Sequence, residues 1–323
     1  MSIGQFFAQN PIIFHIAVGI LSFIIMVKSA DMIVYGIDKY AKRTGLSDYL
    51  IGLLVVSITA SVPEFVSAIT GLLAGDEGIV FGTILGSNLT GITLVAGVLA
   101  LVGRKLKIVN KILAKREVPL FVMIMLPFIL GADGSLSRLD GIILVLFYAA
   151  YVVKIWLREK ETGHMRKNVQ FKFLWKNMLI FLIALAALFL SSRWLVFSSI
   201  SMSEILNIPT YIMAILVLGI ASSLPDMLVG IRAILEGEAG FGLGNTLGSL
   251  VVKSLLFLGV FAIIRPLAVD FNIIGIAILA TIFTLAIIMY ISEKKEMNWR
   301  HGLILLFIYI AYISVELIKE VAM

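Results

Sequence analysis

Residues 55–98 read VVSITASVPEFVSAITGLLAGDEGIVFGTILGSNLTGITLVAGV, and residues 217–260 read VLGIASSLPDMLVGIRAILEGEAGFGLGNTLGSLVVKSLLFLGV. The two stretches align without a gap at an offset of 162, with 15 identities in 44 positions. Matches among Leu, Ile and Val carry little weight in so apolar a chain. The informative ones are Pro63/Pro225, Ser61/Ser223, Ser87/Ser249 and the glycine pairs Gly75/Gly237, Gly78/Gly240, Gly82/Gly244, Gly86/Gly248 and Gly97/Gly259. Glu64 and Asp226 fall in register with them. Such agreement in proline, glycine and acid positions marks an internal repeat.

The rest of the chain says where this repeat sits. Of 323 residues, 60% are apolar and only 14% charged, against about a quarter charged in soluble domains. Apolar runs of membrane-spanning length fall at roughly 11–35, 48–73, 79–102, 117–136 and 138–157, and again at roughly 172–200, 210–234, 240–264, 271–291 and 299–320. The expectation is an all-α integral membrane protein with ten transmembrane helices. Residues 1–157 form a first five-helix repeat, 158–171 a cytoplasmic linker and 172–323 a second repeat. An odd number of spans makes the second half enter the membrane from the opposite face, the inverted-repeat design of many secondary transporters. The bland alternative is a duplicated bundle with no transport role.

Lys and Arg collect in the odd-numbered loops, for example Lys39, Lys42 and Arg43, then Arg104, Lys105 and Lys107, then Arg158, Lys160 and Arg166. By the positive-inside rule these loops are cytoplasmic and both termini extracellular in the cell membrane. The same rule accounts for the net charge of +6 without a nucleic-acid partner. The expected partners are the lipid bilayer and small inorganic cations. No signal-peptide pattern opens the chain, so the first span is expected to be retained. There is no cysteine, hence no disulfide or thiolate site; His15, His164 and His301 are scattered. No nucleophile–base pair and no cofactor motif is present, so neither an enzyme nor a bound cofactor is expected.

The chemistry concentrates in Ser57-Ile-Thr-Ala-Ser-Val-Pro-Glu64 and Gly219-Ile-Ala-Ser-Ser-Leu-Pro-Asp226. A carboxylate at mid-bilayer depth costs roughly 2.5–3.5 kcal/mol on insertion scales, so something offsets it. Proline removes an intrahelical donor and clashes with the preceding turn. Each helix is therefore expected to break there, with Pro63 and Pro225 opening a second half-helix and Ser61 and Ser223 as caps. Freed carbonyls, hydroxyls and carboxylates are hard oxygen donors suited to sodium and calcium. Pseudo-symmetry brings Glu64 and Asp226 into one shared site. Ser87 and Ser249 offer hydroxyls toward it, while Gly82 and Gly244 serve helix packing.

The motifs ASVPE and SSLPD, each followed by G-x-x-x-G-S, resemble the alpha repeats of the sodium/calcium exchanger family, within the cation/calcium antiporters. The resemblance covers nearly the whole chain. It implies exchange of Ca2+ for Na+ by alternating access, with the first and sixth spans sliding across the rest. By match it implies Glu64, Asp226, Ser61, Ser222, Ser223, Ser87 and Ser249 as ion-site residues, with Ser57 and Gly219 contributing carbonyls. The chain departs from the family pattern at Ala60, where Thr is usual, at Leu250, where Asn is usual, and at Gly91 and Lys253, where Asn or Asp lines the site.

Lys253 is a mid-span lysine whose natural partners are Glu64 and Asp226. Three readings follow: a tethered cation replacing one bound ion, a proton carrier that would make the chain a cation/proton antiporter (Na+/H+ or Ca2+/H+), or a packing residue that snorkels away. A further possibility is a non-transporting or channel-like relative in which Lys253 locks the acids permanently.

Overall fold

In a bilayer every backbone N–H and C=O must be satisfied within the protein, which leaves apolar runs one economical form, the helix. The computed structural model describes residues 10–44, 57–107, 117–161, 174–235, 246, 248–293 and 296–322. Among these residues the chain forms ten helices. They are α1 (Pro11–Thr44), α2 (Ser57–Ala60 and Val62–Ala74), α3 (Glu77–Gly103), α4 (Glu117–Leu130) and α5 (Arg138–Glu161), then α6 (Leu174–Leu206), α7 (Thr210–Met213, Ala214–Gly219 and Ile220–Leu235), α8 (Gly248–Ile264), α9 (Phe271–Glu293) and α10 (Trp299–Ala322). The sequence-based beginnings of α2 and α8 lie outside the described residues, and of the linker read at 158–171 only 158–161 is described, as the helical end of α5.

The helices differ in how freely they could cross a bilayer. Pro11–Ser29, Glu77–Gly103, Phe271–Ile291 and Trp299–Lys319 are each long and apolar enough to do so unaided. Among the described residues Glu64–Ala74 is a shorter apolar stretch. The shortness of Glu64–Ala74 has a local cause: a turn at Ser61 divides α2. Of the spanning stretch of α3, 83% is buried, against 17%, 28% and 33% for α1, α9 and α10. Helix α3 is therefore the inner post of the molecule. Helices α1 and α6 run side by side on the outside, with Ile16, Ile20, Leu21, Leu190 and Phe197 exposed. At 34 and 33 residues each is about 50 Å long, well beyond the roughly 30 Å hydrocarbon core.

Two short strand pairs tie one half of the chain to the other. Strand β1 (Lys105–Lys107), after α3, pairs antiparallel with β4 (Glu296–Asn298), before α10. Strand β3 (Leu267–Ala268), after α8, pairs with β2 (Ser135–Leu136), before α5. Helix α9 starts beside β3 and ends beside β4. Its 23 residues separate the two pairs by about 34 Å.

Two glycine crossings follow the same pattern. A Cβ built on Gly302 of α10 would lie 2.6 Å from the Gly97 carbonyl of α3, and one on Gly141 of α5 would lie 2.6 Å from the Gly259 carbonyl of α8. Small residues let backbones meet where a side chain would hold them apart. Gly82 has the packing role expected of it: a Cβ there would lie 2.7 Å from the Tyr211 carbonyl. Gly244 lies outside the described residues.

The turn between α2 and α3 is pinned to α7. Gly75 closes α2 in the left-handed region, at φ 82°, which glycine alone adopts without strain. Asp76 caps α3, its Oδ1 accepting from the Ile79 N–H and from the Thr210 hydroxyl, both at 3.1 Å.

Candidate functional site

The two proline motifs fold differently. In α2 the expected break is present: Ser61 sits in a turn and Pro63 lies at the start of the second segment, Val62–Ala74. The capping role expected of Ser61 is not. Its side chain makes no cap bond, and its buried Oγ has no hydrogen-bond partner. The Ser61 N–H instead reaches back to the carbonyls of Ser57 and Ile58, both at 3.2 Å, so the turn is closed by backbone and the hydroxyl is left over. The Ser57 carbonyl is thereby engaged within α2.

In α7 the expected break at Pro225 does not occur, because Ile220–Leu235 continues through it. The irregularity lies one turn earlier, in the π-helical stretch Ala214–Gly219. A π turn disrupts the i→i−4 ladder and leaves carbonyls short of donors. Serine hydroxyls supply them: Ser223 Oγ donates to the Gly219 carbonyl at 2.8 Å, and Ser222 Oγ approaches the same oxygen at 3.2 Å. Ser223 is thus not a cap but a mid-helix back-bonding serine. It also reaches the Ser87 carbonyl at 3.4 Å. Helices α7 and α3 touch there through backbone, since a Cβ on Gly219 would lie 2.9 Å from the Gly86 carbonyl carbon.

Lys253 lies in the interior. Its Nζ is 3.0 Å from Glu64 Oε1, with the side chains 1% and 0% exposed. The snorkelling reading is therefore overturned. Lys253 belongs to a π-helical stretch of α8, Val252–Phe257, and its repeat equivalent Gly91 opens the π-helical stretch Gly91–Val95 of α3. Asp226, also buried, is near enough for its charge to couple to Glu64. The sequence motifs thus converge on two carboxylates and one ammonium.

Hydroxyls and amides complete the surroundings. Ser87 Oγ donates to the Ile84 carbonyl at 3.2 Å and Ser249 Oγ to the Thr246 carbonyl at 2.8 Å. Each is tied to its own helix and keeps its lone pairs. Asn88 Nδ2 donates to Ser254 Oγ at 3.1 Å, joining α3 to α8 beside Lys253. Sequence reading missed Ser254, whose repeat equivalent is Ile92, so no pattern marks it. Ser61 Oγ, Glu64 Oε2, Asn88 Oδ1 and Thr90 Oγ1 are buried without a hydrogen-bond partner. Buried oxygens are seldom left so, and hard oxygens are what an alkali or alkaline-earth cation takes. Among the described residues no group of three or more His, Asp or Glu gathers as a metal site. Any cation held here would rely on two acids, hydroxyls and carbonyls.

Similarity to known proteins extends over most of the chain. The family model described as sodium/calcium exchanger protein matches residues 14–157 and 176–317. A putative antiporter, CaxA of Alkalimonas amylolytica, is 29% identical, over 91% of this chain and 95% of its own. The sodium/calcium exchanger MaX1 of Methanosarcina acetivorans is 25% identical, over 92% and 96%. Among solved structures, the H+/Ca2+ exchanger CAX superposes with a TM-score of 0.75 at 18% identity, over 95% of this chain and 88% of that one. The sodium-calcium exchanger NCX_Mj superposes with a TM-score of 0.70 at 21% identity, over 94% and 99%. At these identities the superpositions speak for the fold alone.

Proposed function

Because the chain belongs to the sodium/calcium exchanger family, a family of cation/Ca2+ antiporters and multi-pass membrane proteins, we propose that it exchanges Ca2+ for Na+ by alternating access. The exchange site is built on Glu64 and Asp226, with Ser61, Ser87, Ser222, Ser223 and Ser249 as hydroxyl donors and Ser57 and Gly219 as carbonyl donors. Lys253 is its tethered cation. The observation that carries this reading is the buried contact of Lys253 with Glu64.

The halves are read as inverted repeats. Support comes from the exchanged strand pairs at opposite ends of α9 and from the matched glycine crossings. The excess of Lys and Arg in the odd-numbered loops supports an orientation in the cell membrane with both termini outside. No resident cofactor is required, since the cations are the cargo.

Charge explains how the lysine shapes exchange. Two carboxylates and one ammonium leave the site at −1, which one sodium neutralises. Calcium neutralises the two carboxylates only when the ammonium leaves Glu64 or gives up its proton. Lys253 therefore competes with calcium for one carboxylate.

The test is calcium-45 uptake into sodium-loaded proteoliposomes at equal pH on both sides, with Glu64→Ala as control. Uptake that needs the outward sodium gradient and vanishes in the control is the expected result. Absence of calcium uptake, in protein that moves sodium when a pH gradient is applied, overturns it in favour of cation/proton exchange through Lys253.

A further inference from the structure

A second buried polar cluster lies apart from the Glu64–Lys253 pair. Glu316 of α10 is 2% exposed, and an ionisable side chain inside a membrane bundle calls for a function. The charge of Glu316 couples to the hydroxyls of Tyr211 in α7 and Tyr312 in α10. Those two hydroxyls face one another, and the Tyr309 hydroxyl faces Thr90 of α3. None of these four oxygens makes a hydrogen bond of full geometry. Among the described residues the titratable groups that couple here are Glu316, Tyr211, Tyr309 and Tyr312.

The helix register places the cluster. Gly302 meets Gly97, and seven residues on Tyr309 meets Thr90, so α10 runs antiparallel to α3. Seven residues further, Glu316 is level with Thr83, whose buried Oγ1 also has no partner. Tyr211 is at the same height, its carbonyl lying against Gly82. Thr83 precedes Ser87 and Gly91 by four and eight residues, or roughly 6–12 Å along the axis. It follows the start of α3 at Glu77 by roughly 9 Å. The cluster thus sits between the α2–α3 turn and the ion site, and its far member, Thr90, adjoins Gly91. The acid belongs to one half only. At an offset of 161, Tyr148 and Tyr151 of α5 repeat Tyr309 and Tyr312, but Ile155 stands where Glu316 would be.

We infer that Glu316 is a proton-binding station. With Tyr312, Tyr211, Tyr309 and Thr90 it forms a hydroxyl relay between the α2–α3-turn end of the bundle and the ion site. A proton from water adds to the Glu316 carboxylate and is released as the carboxylate reforms, so the proton balance needs no other reactant. The relay makes cation exchange responsive to pH at a residue remote from the ions. It rests on the antiporter reading.

The experiment is an infrared pH titration of the protein in lipid nanodiscs, with and without NaCl or CaCl2. Wild type is expected to have a protonated-carboxyl band that titrates, responds to added cation and is lost in Glu316→Gln. Glu64→Gln keeps that band but loses its response to cation. Tyr312→Phe, which conserves shape, moves the titration midpoint by about one pH unit through the lost hydroxyl. A carboxyl band identical in wild type and Glu316→Gln, or a midpoint unmoved in Tyr312→Phe, overturns the relay. Sodium-driven calcium uptake in the same preparation separates the two failures. Uptake without the Glu316 band overturns the relay alone, and the band without uptake overturns the calcium exchange alone.

Discussion

Lysine and glutamate at 3.0 Å, both shut off from water, make each residue the other's condition. Removing one partner of a buried ion pair costs roughly 3–5 kcal/mol, because the remaining charge is uncompensated. Lys253→Asn is therefore expected to lower thermal stability in cation-free detergent and to regain most of it when sodium or calcium is added. Melting curves at increasing cation concentration check this, with wild type responding less. Ser61 gives the opposite case. A capping serine replaced by alanine costs typically about 1 kcal/mol, but Ser61 Oγ caps nothing. Ser61→Ala should leave unfolding within about 0.5 kcal/mol of wild type while weakening cation binding. The acids, the serines and the odd lysine were legible in sequence because each is costly in hydrocarbon. The capping roles were misread, since Ser61 and Ser223 sit where caps would sit but the backbone and Gly219 claim different bonds.

Among the described residues, helices meet through glycine, and α3, α7 and α8 each carry a π turn while α2 breaks beside its proline. A methyl on Gly302 or Gly141 would lie 2.6 Å from a carbonyl of the facing helix, whereas Gly275 has nothing within 4 Å. Gly302→Ala is expected to destabilise by about 1–3 kcal/mol through forced separation of α3 and α10. Gly275→Ala should be neutral or gain up to about 1 kcal/mol in helix propensity. Thermal unfolding of the two variants side by side checks the pair. The repeat exposed Gly97 and Gly259, yet their partners Gly302 and Gly141 fall outside the aligned stretches and were found only in three dimensions. Likewise Pro63 marked a real break and Pro225 did not. The π turn that relieves α7 depends on carbonyl–serine bonding, which periodicity does not encode.

At the scale of the molecule, the ten helices among the described residues follow the span count, the outer α1–α6 pair agrees with what the family resemblance implied, and the strand pairs were not anticipated from sequence. What sequence could not supply is which faces touch, because apolar helices in lipid carry little amphipathic signal. The α1–α6 pair gives a direct handle on alternating access. The natural chain lacks cysteine, so introduced pairs react alone. A Cβ at Gly19 lies 3.5 Å from Ser198 Oγ, and Gly19→Cys with Ser198→Cys should tie α1 to α6. If the two helices slide together, oxidation leaves exchange intact. Met202 of α6 and Met213 of α7 line one apolar cavity, and cross-linking cysteines at those two positions should stop exchange until reduced. In this site the Lys253 ammonium is proposed to occupy a cation position on Glu64. Equilibrium binding of sodium-22 and calcium-45 to purified wild type and Lys253→Asn tests it most directly. An additional sodium bound per chain and tighter calcium binding in Lys253→Asn is the expected result. Equal stoichiometry and equal calcium affinity in the two proteins would contradict it.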